Sequence, residues 1–124
     1  MKAITLKQPW ATLVIEGYKK YEFRTWKTNY RGEIYIHAGK SVDKKAMEKL
    51  KNLNLEYPKS KILGKVIIED CIQLNDELNK KISDENPLVY GHKKDRKGYA
   101  WKLGKVTKMN IEKEIKGKLG LWEY

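Results

Sequence analysis

The first 26 residues change from a helical to a strand period at Gly17, and this change constrains the fold more than any other feature of the chain. Pro9 suits the first turn of a helix, and Gly17 suits its end. Between them, apolar residues recur at helical spacing: Trp10, Leu13 and Val14. We therefore expect a helix that stops at Gly17 and leads directly into a strand.

Residues 18–26 follow the two-residue period of a β-strand, which sorts their side chains onto two faces. One face carries Tyr21, Phe23 and Thr25, and the other carries Lys20, Glu22, Arg24 and Trp26. Glu22 and Arg24 are therefore expected to project together. By strict alternation Lys19 lies on the opposite face from Glu22. Its position in the turn after Gly17 nevertheless allows its side chain to reach the same side as Glu22 and Arg24.

Aromatic and amide side chains flank this charged patch, because Gln8 and Trp10 precede it and Trp26 ends it. A site for a flat polar ligand such as a nucleobase has this composition, since bases stack on aromatic rings. The alternative is a solvated strand with an ion pair. Trp10 suits either a core or a ligand platform, Trp26 shares the face of the charged residues, and Trp101 and Trp122 are assigned to the core.

Further strands are predicted at residues 3–6, 33–37 and 62–74, and the chain ends with apolar runs at residues 99–103, 106–111 and 119–124 that supply the remaining strands. A helix capped by Ser41 is expected to bury one apolar stripe: Val42, Ala46, Met47, Leu50 and Leu53. Gly64 suggests a bulge or a close approach within its strand. Five or six strands with two or three helices predict an α+β domain over residues 1–124, a small mixed, mostly antiparallel β-barrel flanked by helices.

Residues 75–98 are polar, and they predict a short helix followed by a long loop. That loop concentrates charged side chains: His92, Lys93, Lys94, Asp95, Arg96 and Lys97. Such a segment is either a flap over a ligand or a mobile surface.

The charge balance favours a polyanionic partner. Lys and Arg number 27 against 16 Asp and Glu, which gives a net charge of +11 and a pI near 9.6. Nucleic acid is the leading candidate, although lysine-rich surfaces also serve solubility. The arginines are Arg24, Arg31 and Arg96 alone, so most of the positive charge is a diffuse lysine field.

Several other classes of site are disfavoured by the residue content. Cys71 is the single cysteine, which excludes an internal disulfide and favours the cytoplasm, and its apolar strand setting predicts an inert core residue. His37 and His92 do not form a ligand-spaced cluster, so we predict no metal site. The sequence shows neither a membrane span nor a signal peptide, and it implies no cofactor or obligate protein partner.

Three groups of motifs together carry a family resemblance. They are Ile-Thr-Leu-Lys-Gln-Pro-Trp-Ala at residues 4–11, Gly-x-Lys-x-x-Glu-x-Arg at residues 17–24 and Ile-Tyr-Ile-His-Ala at residues 34–38. Weaker support comes from residues 64–66, 99–103 and 116–122. The chain resembles the ASCH domain family over essentially its whole length.

This resemblance implies a PUA-like fold, a small barrel with helices beside it and a cleft that binds RNA or a modified nucleoside. It places Lys19, Glu22 and Arg24 in the cleft, the segment from Gln8 to Trp10 on its helical wall, and the segment from His37 to Lys40 on an adjoining rim. In that arrangement Arg24 can fork onto a phosphate or base edge, Glu22 can accept from an exocyclic amine and Lys19 can hold an anion.

One branch of the same superfamily hydrolyses N4-acetylcytidine with a lysine, a threonine and a glutamate, which keeps an enzymatic alternative open. Lys19 matches the lysine, but Glu22 stands where that branch has threonine. A carboxylate there is expected to raise the pKa of Lys19, and Glu22 would have to activate water instead. Glu69 and Glu85 are the alternatives for the missing glutamate.

Three functions therefore stay open. They are binding of RNA or a modified nucleoside, with other nucleic acid possible; hydrolysis of an acylated nucleoside or RNA, with Lys19 and Glu22 as catalytic residues; and interaction with a protein or metabolite.

Overall fold

The computed structural model of the protein describes residues 1–93 and 95–124. In chain order, the strands are β1 (Lys2–Gln8), β2 (Tyr21–Arg24), β3 (Gly32–Val42), β4 (Lys61–Gln73), β5 (Tyr99–Lys108) and β6 (Leu121–Glu123). The α-helices are α1 (Trp10–Ile15), α2 (Lys44–Lys49), α3 (Asp76–Glu85) and α4 (Pro87–Tyr90), and a 3₁₀ turn follows α2 at Lys51–Leu53. No helix in these residues is both long enough and apolar enough to cross a bilayer.

The strands form one sheet in the order β2-β5-β4-β3-β1-β6. Only the β1–β3 pairing is parallel among the described strands, and the others are antiparallel. The predicted mixed, mostly antiparallel α+β architecture is confirmed, with four α-helices rather than two or three. The predicted barrel is not confirmed, because β2 and β6 are the two edges of the sheet and do not pair with each other within the described chain.

Strong curvature nevertheless brings the β2 edge close to β1. The Arg24 Nη2 atom donates to the Thr5 carbonyl oxygen at 3.2 Å, although three strands separate β2 from β1 in the sheet order. On its outer side, β1 pairs with β6 only over residues 2–4. The second half of β1 therefore faces β2 across an opening in the sheet.

A first apolar core fills the space between the curved sheet and α1. Its members come from α1 and from four of the strands, and include Val14, Ile34, Ile36, Ile68, Cys71 and Trp101. Trp101 is fully buried and Trp122 is 7% exposed, which confirms the assignment of both rings to the interior. Cys71 is also buried in this core, as predicted for an inert residue.

A second apolar cluster holds the helices against α1 and β2. Leu13, Tyr21, Leu50, Ile82 and Tyr90 are among its buried residues. Each contributing helix supplies only one or a few side chains, so α2, α3 and α4 cover one side of the sheet as a thin layer. This layer fixes the position of Tyr90, which matters for the site described below.

Two element boundaries differ from those predicted. Strand β2 begins at Tyr21 rather than at residue 18, because the N–H groups of Tyr18 and Lys19 both donate to the Leu13 carbonyl and close a turn through Gly17, at φ 84°. Strand β3 continues to Val42, so the predicted Ser41 cap is wrong. Asp43 caps α2 instead, and its Oδ1 accepts from Ala46 N at 3.1 Å.

Residues 75–98 are more helical than predicted. Asn75 and Asn86 each cap a helix with the side-chain oxygen, accepting from Leu78 N at 2.8 Å and Val89 N at 3.3 Å. Two helices therefore occupy most of this segment, and the predicted long loop is reduced to the residues after Tyr90. Lys94, one of its predicted cations, lies outside the described residues.

Gly64 lies at the predicted irregularity in β4. Ile36 pairs with Gly64 and His37 pairs with Ile62, so Leu63 is an extra residue on β4 and forms a bulge. A Cβ on Gly64 would collide with the Thr107 carbonyl oxygen and come within 3.0 Å of the Ile15 Cδ1 atom. Glycine is therefore needed here for the close approach of β5 and α1.

Replacement of Gly64 by alanine is expected to lower the free energy of unfolding by about 1–3 kcal/mol, the usual cost of overpacking a close-packed interior. Urea unfolding followed by tryptophan fluorescence measures this change. Gly104→Ala in β5 is the matched control, because its Cβ would meet only the side chain of exposed Glu69, which can move away. Equal losses in the two variants would contradict the assigned role of Gly64.

Candidate functional site

A cavity of about 660 Å³ opens where the second half of β1 faces β2. This volume lies within the roughly 300–1,000 Å³ of small-molecule sites. Its walls come from β1, α1, the turn before β2, β2 itself and the segment after α4. The lining residues are Thr5, Leu6, Lys7, Trp10, Lys19, Glu22, Phe23, Arg24, Thr25, Trp26, Tyr90, Lys93 and Arg96.

The Glu22 carboxylate lies between two cations in this cavity. Its Oε1 accepts from Lys19 Nζ at 2.7 Å, and its Oε2 accepts from Arg24 Nε at 3.0 Å. The three side chains are between 4% and 24% exposed, so water screens the cluster only partly. Glu22 thereby fixes the directions in which Lys19 and Arg24 point.

Lys19 reaches this cluster because of the turn that precedes β2. After the turn its ammonium group folds back to donate to the Tyr21 carbonyl as well as to Glu22. The ring centroids of Trp10 and Phe23 lie 5.9 Å and 5.2 Å from its Nζ atom, which places the charge over two aromatic faces. The strict strand alternation would have placed Lys19 on the other face.

Burial lowers the pKa of Lys19 below its ordinary value, and the neighbouring Arg24 and Arg96 charges act in the same direction. Glu22 opposes this shift through its charge and its hydrogen bond. The sequence predicted that Glu22 would raise the pKa of Lys19, and the net direction is opposite because desolvation of the ammonium group is the larger effect. Glu22 is therefore the neighbour that favours the charged form of Lys19 in the cavity.

Arg96 forms the opposite wall, and sequence reasoning placed it only among loop cations. Its guanidinium lies 4.6 Å from the Phe23 ring centroid and donates to the Tyr90 carbonyl at 2.6 Å. Further bonds to Asn79 Oδ1 at 3.1 Å and Ser83 Oγ at 3.3 Å tie the segment after α4 to α3. The available signal was that Arg96 is an arginine in a lysine-rich run, since a planar fork suits such bonding.

Tyr90 closes the inner end of the cavity beside β2. Its hydroxyl oxygen accepts from Lys20 N at 2.7 Å and from Tyr21 N at 3.2 Å, which pairs backbone N–H groups at the start of the strand. Burial raises the pKa of Tyr90 to about 12, although these two N–H groups favour the ionised form. The neutral phenol is therefore strongly preferred in the folded state.

The structure brings five of the eight predicted ligand-binding residues into this cavity: Trp10, Lys19, Glu22, Arg24 and Trp26. Trp26 is 38% exposed and stands edge-on against Trp101, with ring centroids 4.9 Å apart. It can therefore present ring surface to a ligand at the cavity mouth. Whether these residues bind a ligand stays a prediction.

Gln8 does not line the cavity, since it is fully buried behind α1. Its Nε2 donates to Thr12 Oγ1 at 2.9 Å and to the Pro58 carbonyl at 2.8 Å, and its Oε1 accepts from Thr12 N at 3.0 Å. These bonds tie the start of α1 to the segment before β4. In this structure Gln8 has a structural role.

His37 and Lys40 line a different depression, on the other side of Thr5. His37 is 1% exposed, and its ring nitrogens contact Thr5 Oγ1 and the Ile115 carbonyl oxygen. Glu69 and Glu85, the alternatives for a catalytic glutamate, also lie outside the cavity wall.

Glu22→Gln is expected to lower the free energy of unfolding by about 3 kcal/mol near neutral pH, because it leaves a buried ammonium group without its carboxylate. The pKa of Lys19 then falls further in the folded state. The unfolded chain then binds the Lys19 proton more tightly than the folded chain does. The variant should therefore regain stability as the pH rises toward 10.5, the ordinary pKa of lysine. Urea unfolding at several pH values measures both effects.

The double variant Lys19→Met and Glu22→Gln is the control for this prediction, since it removes both buried charges together. It should be more stable than Glu22→Gln alone. A Glu22→Gln variant within about 0.5 kcal/mol of the wild type would show that the ion pair does not hold the site together.

Tyr90 is expected to make the fold sensitive to alkali. The pKa of Tyr90 is about 12 in the folded protein, against an ordinary value of 10.0. Its contribution to the free energy of unfolding is therefore complete below pH 10 and is lost as the pH rises to about 12. A shift of this size corresponds to about 3 kcal/mol. Urea unfolding against pH should show a shallower alkaline fall for Tyr90→Phe than for the wild type, and parallel curves would contradict this assignment.

Comparison with known proteins identifies the family of this chain. The ASCH domain model matches residues 4–114. Activating signal cointegrator 1 of Mus musculus is 25% identical over 132 residues, covering 97% of this chain and 22% of that protein. The Homo sapiens protein of the same name is 29% identical over 83 residues, covering 56% of this chain and 14% of that protein. The chain thus spans less than a quarter of the length of these relatives.

Solved structures show the same fold. The crystal structure of ASCH from Zymomonas mobilis has a TM-score of 0.56 at 16% identity, covering 86% of this chain and 68% of that chain. A point mutant of that protein has a TM-score of 0.54 at 16% identity, covering 90% of this chain and 76% of that chain. At this identity the likeness concerns the fold alone. With the family model matching residues 4–114, this chain belongs to the ASCH domain family.

Proposed function

We propose that the cavity between β1 and β2 binds RNA or a modified nucleoside, with a base inside and a phosphate at its mouth. The observation that carries the proposal is the charge of the lining. Among the lining residues that the structure describes, one carboxylate, Glu22, is accompanied by five cations: Lys7, Lys19, Arg24, Lys93 and Arg96. Such an excess in a partly enclosed space favours an anionic ligand, because the walls limit screening by water.

Aromatic rings on two sides of the cavity suit a flat ligand. Trp10 and Phe23 line the interior, and Trp26 stands at the mouth with ring surface exposed. Stacking of a base on such a ring contributes roughly 1–3 kcal/mol. Membership in the ASCH family, which is generally linked to RNA binding, supports the same choice of ligand.

Arg24 is the best-placed group for direct contact with a phosphate or a base edge. Its Nε and Nη2 atoms are held by Glu22 and the Thr5 carbonyl. Its Nη1 atom has no hydrogen-bond partner within residues 1–93 and 95–124, so two N–H donors of an already oriented guanidinium stay available. A preoriented donor loses less entropy on binding than a flexible lysine.

A hydrolase is the second candidate, and the lowered pKa of Lys19 is the observation that favours it. The identity of Glu22 argues against it, because the hydrolytic branch has a threonine hydroxyl at this position to attack the amide, and a carboxylate here is held by Lys19 and Arg24 instead. Binding without turnover is therefore the function that the geometry supports best.

Tryptophan-fluorescence titration with single-stranded RNA, and separately with N4-acetylcytidine, tests the proposal. Trp10 and Trp26 serve as reporters, since both line the cavity. We expect saturable quenching that weakens as salt increases, with no deacetylated product in the samples taken afterwards. Product formed by the wild type and lost in Lys19→Ala would favour the hydrolase instead.

Arg24→Ala should weaken binding about 10- to 100-fold, which corresponds to roughly 1.5–3 kcal/mol for hydrogen bonds to a charged group. Arg31→Ala is the matched control, because Arg31 lies outside the cavity and pairs with Asp70 at 3.5 Å. Equal effects of the two substitutions, or no binding of either ligand at low salt, would overturn the proposal.

A further inference from the structure

A second depression, of about 340 Å³, adjoins the cavity across β1. Thr5 lines both, so a single strand separates them. Ile115 and Leu119 contribute apolar surface to the depression, and three lysines surround it: Lys40, Lys116 and Lys118. We refer to these three lysines and the surface between them as the basic shelf.

The backbone of the shelf is fixed against the interior. Ile115 N donates to the Ser60 carbonyl at 2.8 Å, and the Ile115 carbonyl contacts the buried His37 ring. Gly117 lies directly against β1, since a Cβ there would come within 2.5 Å of Thr5 Oγ1 and 2.9 Å of the His37 ring. Lys116 and Lys118 thus flank an anchored residue, and their positions are set by the fold.

The shelf lysines carry positive charge that the protein does not neutralise. Within residues 1–93 and 95–124, no ion pair involves Lys40, Lys116 or Lys118, nor Lys7 at the cavity. Some lysines elsewhere on the strands do have carboxylate partners, as in Lys65 with Glu33 at 3.0 Å and Lys61 with Glu112 at 2.9 Å. The unpaired charge therefore continues from the cavity onto the shelf.

Leu119 is 98% exposed in the same segment, although exposed leucine side chains cost free energy in water. Apolar surface bordered by unpaired lysines suits a nucleotide, whose base is apolar on its faces and whose phosphate is anionic. Because the shelf adjoins the cavity, we expect this nucleotide to belong to the same nucleic-acid strand as the base bound in the cavity.

Resting on the proposed function, we propose that the ligand is a single-stranded RNA rather than a free nucleoside. One base occupies the cavity, the backbone crosses β1 beside Thr5 and Lys7, and the phosphate of a neighbouring nucleotide is held by Lys40, Lys116 and Lys118. The next base contacts Leu119. The basic shelf is thus a second subsite that makes affinity depend on the length of the strand.

Two probes test this subsite on the full chain. One is a mixed-sequence single-stranded RNA of about eight nucleotides, within the roughly 4–16 nucleotides that small single-strand-binding domains cover. The other is a mixture of nucleoside monophosphates, which can fill only the cavity. We expect the wild type to bind the longer probe more tightly.

Replacing Lys40, Lys116 and Lys118 together by glutamine should weaken binding of the longer probe about 10- to 100-fold near ~0.1 M salt, and reduce the salt slope by about 0.7, because the three lysines hold one phosphate. Binding of the monophosphates should not change. The matched control replaces Lys44, Lys45 and Lys105 by glutamine, because these are exposed and line neither the cavity nor the shelf.

Equal weakening of RNA binding by the two triple variants would overturn the proposed second subsite, because it would show that only the total charge of the protein matters. A wild type that binds monophosphates and the longer probe equally well would also overturn it, while leaving the proposed cavity function intact. Failure of the wild type to bind either probe would remove the cavity function and the shelf together.

Discussion

The Glu22 carboxylate is the interaction on which the site depends, because it holds Lys19 and Arg24 at once. Each of these cations also bonds a backbone carbonyl, Lys19 that of Tyr21 and Arg24 that of Thr5. One partly buried carboxylate therefore connects the turn before β2, β2 itself and β1. Two cations this close would otherwise repel each other in a region that water reaches poorly.

The cavity follows from the incomplete closure of the sheet. β6 covers only the beginning of β1, and β2 approaches the remainder without pairing with it. Side chains rather than a strand occupy the gap, and Arg24 crosses it with a hydrogen bond to the Thr5 carbonyl oxygen. The opening also places the cations of the cavity wall beside the second half of β1.

The charged motif was predictable because its residues are close in sequence and because Glu22 and Arg24 lie on one face of a single strand. Five of the eight proposed ligand-binding residues consequently line one cavity. Gln8 and His37 do not line this cavity, since adjacency to a motif does not determine the direction of a side chain: Gln8 turns behind α1 to bond Thr12, and His37 packs beneath Ile115. Arg96 was not assigned to the cavity because its position depends on contacts with α3, which the sequence alone did not reveal.

The sequence by itself determined the helix-to-strand transition at Gly17, the projection of Glu22 and Arg24 from one strand face, and the excess of positive charge, since all three follow from local period and composition. Only the tertiary structure decided how the sheet curves, which wall Arg96 forms and where unpaired lysines collect. These features depend on contacts between residues far apart in the chain, such as Arg24 with Thr5 and Ile115 with His37. Local patterns carry no information about such distances.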